Sequence, residues 1–159
     1  MDTINTKDLI KSWYSSKALN EQEPFFKFLC LWICLNAWLS HQSQEISDRR
    51  MINWLKSQDK SACDILVGYE AMRETTQGSG AIKILVQYSP ITDSSGRREA
   101  IEIKNLDDRD NIIEAIYRIR CNLFHGGKSS TNTKDRELVQ CANVILIKWV
   151  GHIVAHIDN

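Results

Sequence analysis

The stretch that most constrains this chain is Pro24-Phe25-Phe26-Lys27-Phe28-Leu29-Cys30-Leu31-Trp32-Ile33-Cys34-Leu35-Asn36-Ala37-Trp38-Leu39. At 3.6 residues per turn it is apolar nearly all the way round, and a helix with that surface must be covered on several sides. The run from Phe25 to Leu39 is too short to cross a bilayer and carries Lys27 and Asn36. It therefore predicts the central helix of a bundle, opened by Pro24 in its first turn and running to about His41. Asn36 reads as a hydrogen-bonded core amide.

The rest of the chain supplies helices to cover it. Thr6 to Ser15 reads as a short first helix, with Thr6 as N-cap and Leu9, Ile10 and Trp13 on one face. Ser47-Asp48 opens a third helix through Met51, Ile52, Trp54 and Leu55. A fourth segment runs from about Lys60 to Met72. Leu106-Asp107-Asp108 opens a further helix, whose apolar face is Ile112, Ile116, Ile119 and Leu123, and the last helix starts near Asp135 with Leu138, Ala142, Ile145 and Trp149. Between Thr75 and Asn105 the rhythm breaks at Gly78, Gly80, Pro90 and Gly96. There Ile82-Lys83-Ile84-Leu85-Val86 and Ala100-Ile101-Glu102-Ile103 predict a hairpin turning through Ser89 to Gly96. This insertion, near 76–104, is too short to bury a core of its own. The expectation is one all-α domain over residues 1–159, an up-and-down bundle with a short irregular or hairpin insertion.

Twenty acidic and twenty basic residues cancel. That excludes a globally basic nucleic-acid binder, so any RNA affinity must come from a local patch. The five cysteines are odd in number, and three of them lie in apolar helical patterns. They read as core residues of a protein in a reducing compartment. The opening Met1-Asp2-Thr3-Ile4-Asn5 has no apolar segment, so a cytoplasmic protein without a membrane span is expected. His152 and His156 have chelating i, i+4 spacing but no evident third ligand. No P-loop, dinucleotide-binding glycine pattern or G-x-S-x-G elbow is present, and neither a cofactor nor a metal site is predicted.

The chemistry-bearing residues cluster in Ile116-Tyr117-Arg118-Ile119-Arg120-Cys121-Asn122-Leu123-Phe124-His125-Gly126-Gly127-Lys128. Arg120 lies beside the buried face of its helix, and a guanidinium in that position needs a partner, a ligand or a polar interface. Metal-free RNA cleavage asks for a base at the 2′-hydroxyl, a cation at the phosphorane and an acid at the leaving oxygen. Histidine can serve as acid or base near neutrality, and arginine can hold a phosphate through two donors. Asn122 could orient the phosphate or His125, and Lys128 could hold a neighbouring phosphate. Residues five apart on an ideal helix point about 140° from each other. By that criterion Arg118, seven before His125, suits the histidine better than Arg120.

The Arg-x4-His spacing of Arg120 and His125, with its flanks, resembles the motif block of the HEPN superfamily and in particular its Apea-like branch. The aromatic run Phe25 to Trp38 is similar to the second helix of such proteins. Together the two blocks cover about a sixth of the chain. The resemblance implies an all-helical HEPN-like fold. It also implies a catalytic pair of Arg120 and His125, completed at a two-fold dimer interface, and carries Asn122 with them; Arg118, by its place on the helix, and Lys128, by its charge, remain auxiliary candidates. The implied activity is a metal-independent endoribonuclease working by transesterification, in a toxin–antitoxin or phage-defence setting. Two other readings stay open: a catalytically silent module that dimerises or binds RNA, and a helical partner subunit for a nucleotidyltransferase-type antitoxin.

Overall fold

The computed structural model describes residues 3–125 and 132–159. They form α1 (Thr3–Ser12), a π-helical segment (Trp13–Ala18), α2 (Pro24–Ser43), α3 (Asp48–Ser57), α4 (Asp64–Glu74), α5 (Thr76–Tyr88), α6 (Arg109–Phe124) and α7 (Thr133–His156). There is no strand among the described residues, and the all-α expectation holds. Thr6, expected as a cap, lies inside α1 and is buried.

Local chemistry sets the helix ends. Pro24 occupies the first turn of α2, where its missing N–H costs nothing, and the Glu23 carboxylate accepts from the Phe26 N–H at 2.9 Å. Gln44 stops α2 in the left-handed region at φ 59°. Three residues on, the Ser47 hydroxyl caps α3 by accepting from the Arg50 N–H. Asn132 does the same for α7 at Asp135.

Two helices form the middle of the bundle. In α2 the buried side chains include Phe28, Leu31, Trp32, Leu35, Trp38 and Leu39, as its all-round apolar surface requires. The other central helix is α7, which packs against α2, α4 and α5. By length and composition α7 could cross a bilayer, but its apolar side chains are those that build this core. Trp149 is fully buried, meets Tyr69 edge to face at 5.2 Å and donates its indole N–H to the Ile65 carbonyl at 2.7 Å. The Asn143 amide, also buried, donates to the Pro24 carbonyl at 2.8 Å and fixes α7 to the start of α2.

The predicted insertion is shorter than expected, and its first strand is a helix. Residues 82–86 belong to α5, where Ala81, Ile82 and Leu85 are buried at helical spacing. Gly78 is a packing residue here. Thr75 ends α4 and caps α5 at once, bringing the two backbones so close that a Cβ at Gly78 would lie 2.1 Å from the Met72 carbonyl oxygen. Glycine is what this corner needs, and the sequence alone does not distinguish that use from a break. The irregular segment is therefore the connection between α5 and α6, residues 89–108. Within it Ile91 and Ile101 exchange two backbone hydrogen bonds, at 2.8 and 2.9 Å, a single antiparallel bridge where a hairpin was expected.

Candidate active site

The motif helix α6 starts at a carboxylate. Asp108 accepts from the Lys104 N–H and from the Asn111 amide. Burial pushes this carboxyl up, but those hydrogen bonds and the Lys104 charge outweigh it and hold it below the usual carboxylate range. Ile112, Ala115, Ile116 and Ile119 then face the core. The apolar period that identified the helix is the period that buries it.

The polar residues of the motif divide into two groups. Arg118 and Asn122 are 6% and 1% exposed and hold the 89–108 connection. The Arg118 guanidinium donates to the Glu99 carbonyl at 3.1 Å and approaches that of Ile91. The Asn122 side-chain oxygen accepts from the Ser94 N–H at 3.0 Å and the Ser94 hydroxyl at 2.8 Å, while its amide donates to the Thr92 carbonyl at 3.0 Å. In this arrangement the donors and acceptors of Asn122 are taken up by the loop, and Arg118 fills the space beneath it.

Arg120 and His125 form the second group and lie nearer to solvent. Arg120 points towards the start of α3, where its Nη2 pairs with Asp48 Oδ2 at 2.9 Å; the two side chains are 24% and 23% exposed. Asp48 Oδ1 accepts from the Asn36 amide at 2.8 Å, so a chain of three polar groups joins α2, α3 and α6. One face of the guanidinium rests on the Phe124 ring, 4.3 Å from its centroid. Arg120 Nε is buried and, among the described residues, unpartnered. His125 is exposed at the C-terminal cap of α6, its backbone N–H bonded to the Cys121 carbonyl at 3.0 Å. Its side chain has no hydrogen bond or ion pair among the described residues. Lys128 and the glycine pair Gly126-Gly127 lie outside those residues.

Beside this cluster α3 and α6 are joined by charge. Arg49 forms a two-point contact with Glu114, at 2.5 and 3.1 Å, and Lys56 adds a third at 2.5 Å. Asp48 meets Arg120 at one end of α6 and Lys56 meets Glu114 nearer the other, so the two helices run antiparallel. Burial pushes the Glu114 carboxyl up, but its bonds to Arg49 and Lys56 win and leave it below its ordinary value. The Arg49 guanidinium also sits 4.7 Å above the Tyr117 ring, which stacks on Trp32 at 6.0 Å. These contacts brace α6 against α3 and α2.

Asp48 was legible in the sequence only as a residue opening a helix, and Asn36 only as a core amide. Their convergence on Arg120 depends on how three helices cross. His152 and His156 stack with ring centroids 4.2 Å apart, and His156 Nδ1 lies 2.9 Å from the His152 carbonyl. Among the described residues no group of three His, Cys, Asp or Glu side chains is placed to hold a metal ion. No protein-family model, curated protein or solved structure matches this chain.

Proposed function

We propose that the protein is a metal-independent endoribonuclease of HEPN type, with Arg120 and His125 as the catalytic pair. The supporting observation is the division of the motif helix. Two of its polar residues are consumed by packing under the 89–108 connection, whereas Arg120 is partly open to solvent and His125 is exposed. In the proposed reaction His125 takes the proton from a 2′-hydroxyl, or returns one to the departing oxygen. The O2′–P bond forms as the P–O5′ bond breaks, giving a 2′,3′-cyclic phosphate and a 5′-hydroxyl. Arg120 stabilises the charge that builds on the phosphorane oxygens. The separation of Arg120 and His125 around one helix favours a composite site, in which each arginine serves the histidine of a second copy across a two-fold axis. The homodimer is thus part of the proposal, as are a cytoplasmic, toxin–antitoxin or phage-defence setting and a possible antitoxin partner. Arg118 and Asn122 support the site through the 89–108 connection, and Lys128 is kept as an RNA contact.

A partner-subunit reading draws on a different feature, an open groove of about 770 Å³ between α5 and α7, floored by Ala81 and rimmed by the exposed Ile84 and Val144. The deciding experiment is incubation of purified protein with total RNA in EDTA, beside Arg120→Ala and His125→Ala, with light scattering and melting temperature measured on each. Cleavage to cyclic-phosphate ends that falls by about 10²–10⁴-fold in both variants, with fold and dimer intact, is the expected result. Wild-type rates in both variants would reject the assignment, and a cleavage that needs added Mg²⁺ or Mn²⁺ would reject the metal-free mechanism.

A further inference from the structure

We propose that Asp48, steadied by Asn36, is a positioning residue that fixes the guanidinium of Arg120 for a phosphodiester. The inference rests on the ribonuclease reading and deepens it. A long arginine side chain at a helix end would ordinarily sample several rotamers, and ordering it costs up to about 2 kcal/mol. Here it is held from two directions. Phe124 supports one face of its plane at 4.3 Å, and Asp48 draws Nη2 to 2.9 Å. Asp48 is itself fixed twice over. It is the first residue of α3, where the positive helix end favours a carboxylate, and its other oxygen accepts from Asn36 at 2.8 Å.

The way this contact uses the guanidinium is informative. The carboxylate does not close on Arg120 as a two-point fork, in contrast to Glu114 on Arg49. It takes Nη2 alone. Nε is buried and makes no hydrogen bond among the described residues. A buried, unsatisfied donor on a charged group is costly, and functional sites are where such groups persist. Nε is closed to solvent, so a phosphate oxygen would meet the terminal nitrogens of this partly exposed side chain, which Asp48 and Phe124 hold in place. The carboxylate also places a negative charge beside the anion it helps to bind. Its role is therefore to orient Arg120, and it does not add attraction for RNA.

That last point separates positioning from simple stabilisation. Misplacing a catalytic group by about 1 Å can cost on the order of 10²-fold in rate. Asp48→Ala should thus lower kcat by about 10²-fold while KM stays level or falls, because a repelling charge has gone. Asp48→Asn keeps the shape, and Asn36 can turn its amide to meet it, so its kcat should lie between those of wild type and Asp48→Ala. Glu114→Gln perturbs an ion pair between the same two helices without touching Arg120. It should leave kcat within about 3-fold, within the range of modest local changes.

The test pairs these kinetics with ¹⁵N NMR of the arginine Nε–H groups, assigned through Arg120→Lys. A single-stranded DNA oligonucleotide, which cannot be cleaved for want of a 2′-hydroxyl, is the probe. Wild-type protein should show a sharp Arg120 Nε–H signal that shifts as the oligonucleotide is added; Asp48→Ala should broaden it and lose the shift. If wild type cleaves no RNA, the ribonuclease reading fails, and the NMR arm still judges the positioning of a phosphate-binding arginine. The proposal is overturned if Asp48→Ala keeps the wild-type kcat or the wild-type Arg120 response. It is also overturned if Glu114→Gln loses as much kcat as Asp48→Ala, or if the oligonucleotide leaves the wild-type signal unmoved.

Discussion

Asn122 belongs to the motif that carries the family resemblance, yet its contacts are those of a loop anchor, and replacing it with alanine separates the two roles. Asn122→Ala removes three hydrogen bonds, two accepted from Ser94 and one donated to the Thr92 carbonyl. At about 0.5–1.5 kcal/mol net for each, the direct loss is about 1.5–4.5 kcal/mol. Thr92 and Ser94 are exposed, so water can take up the groups left behind, and the lower half of that range, about 1.5–3 kcal/mol, is expected. For a chain of this length that corresponds to a fall of roughly 3–12 °C in Tm. Asn122→Asp keeps an acceptor for Ser94 but turns a carboxylate oxygen towards the Thr92 carbonyl, so it should be at least as damaging. Thermal unfolding by circular dichroism measures the loss, and limited proteolysis should cut the 89–108 connection faster in both variants. An Asn122→Ala protein that melts with wild type and resists protease equally, while losing RNA cleavage, would refute the anchor role and return Asn122 to the substrate.

Three further outcomes follow from the geometry. Gly78→Ala should destabilise by about 1–3 kcal/mol, because its Cβ would need the Met72 carbonyl, 2.1 Å away, to move; a denaturant midpoint equal to wild type would contradict this. Acid should weaken the fold in two stages. His152 is held below its ordinary 6.5 by burial and by His156, so the stability it lends is complete above that value and declines as pH falls towards its folded value. Glu114, held below its ordinary 4.5, keeps its stabilising pairs above that pH and loses them as pH falls through the lower folded value; Glu114→Gln should shrink the second stage of a Tm-versus-pH curve, leaving the share that Asp108 contributes. Burial pushes the Cys34 and Cys141 thiols up to about 12, so both should resist a thiol-reactive dye at pH 8 in the native state and react in denaturant, and labelling of either native thiol at the rate of a free thiol would contradict the packing.

How far the sequence reached depends on whether a signal is local. The all-round apolar surface of residues 24–39 required a covered helix, and the 3.6-residue period of Ile112, Ile116 and Ile119 required a one-sided one. Both requirements are met inside a few turns of chain, so both were readable. Ser47 and Pro24 were readable for the same reason, because a cap acts within three or four residues. The segment 82–86 reads as a strand because four apolar residues around Lys83 in a five-residue run fit both periods. What settles it is Thr75 capping α5 against the end of α4. Gly78 looked like a break for want of the Met72 carbonyl that makes it necessary. The site follows the same rule. Arg120 and His125 stand out by spacing within one helix. The burial of Arg118 and Asn122 under the 89–108 connection depends on where that loop comes to rest. The meeting of Asn36, Asp48 and Arg120 depends on three helix axes at once. Period and capping are written residue by residue; which charges meet across a bundle is decided only when side chains far apart in sequence compete for the same buried space.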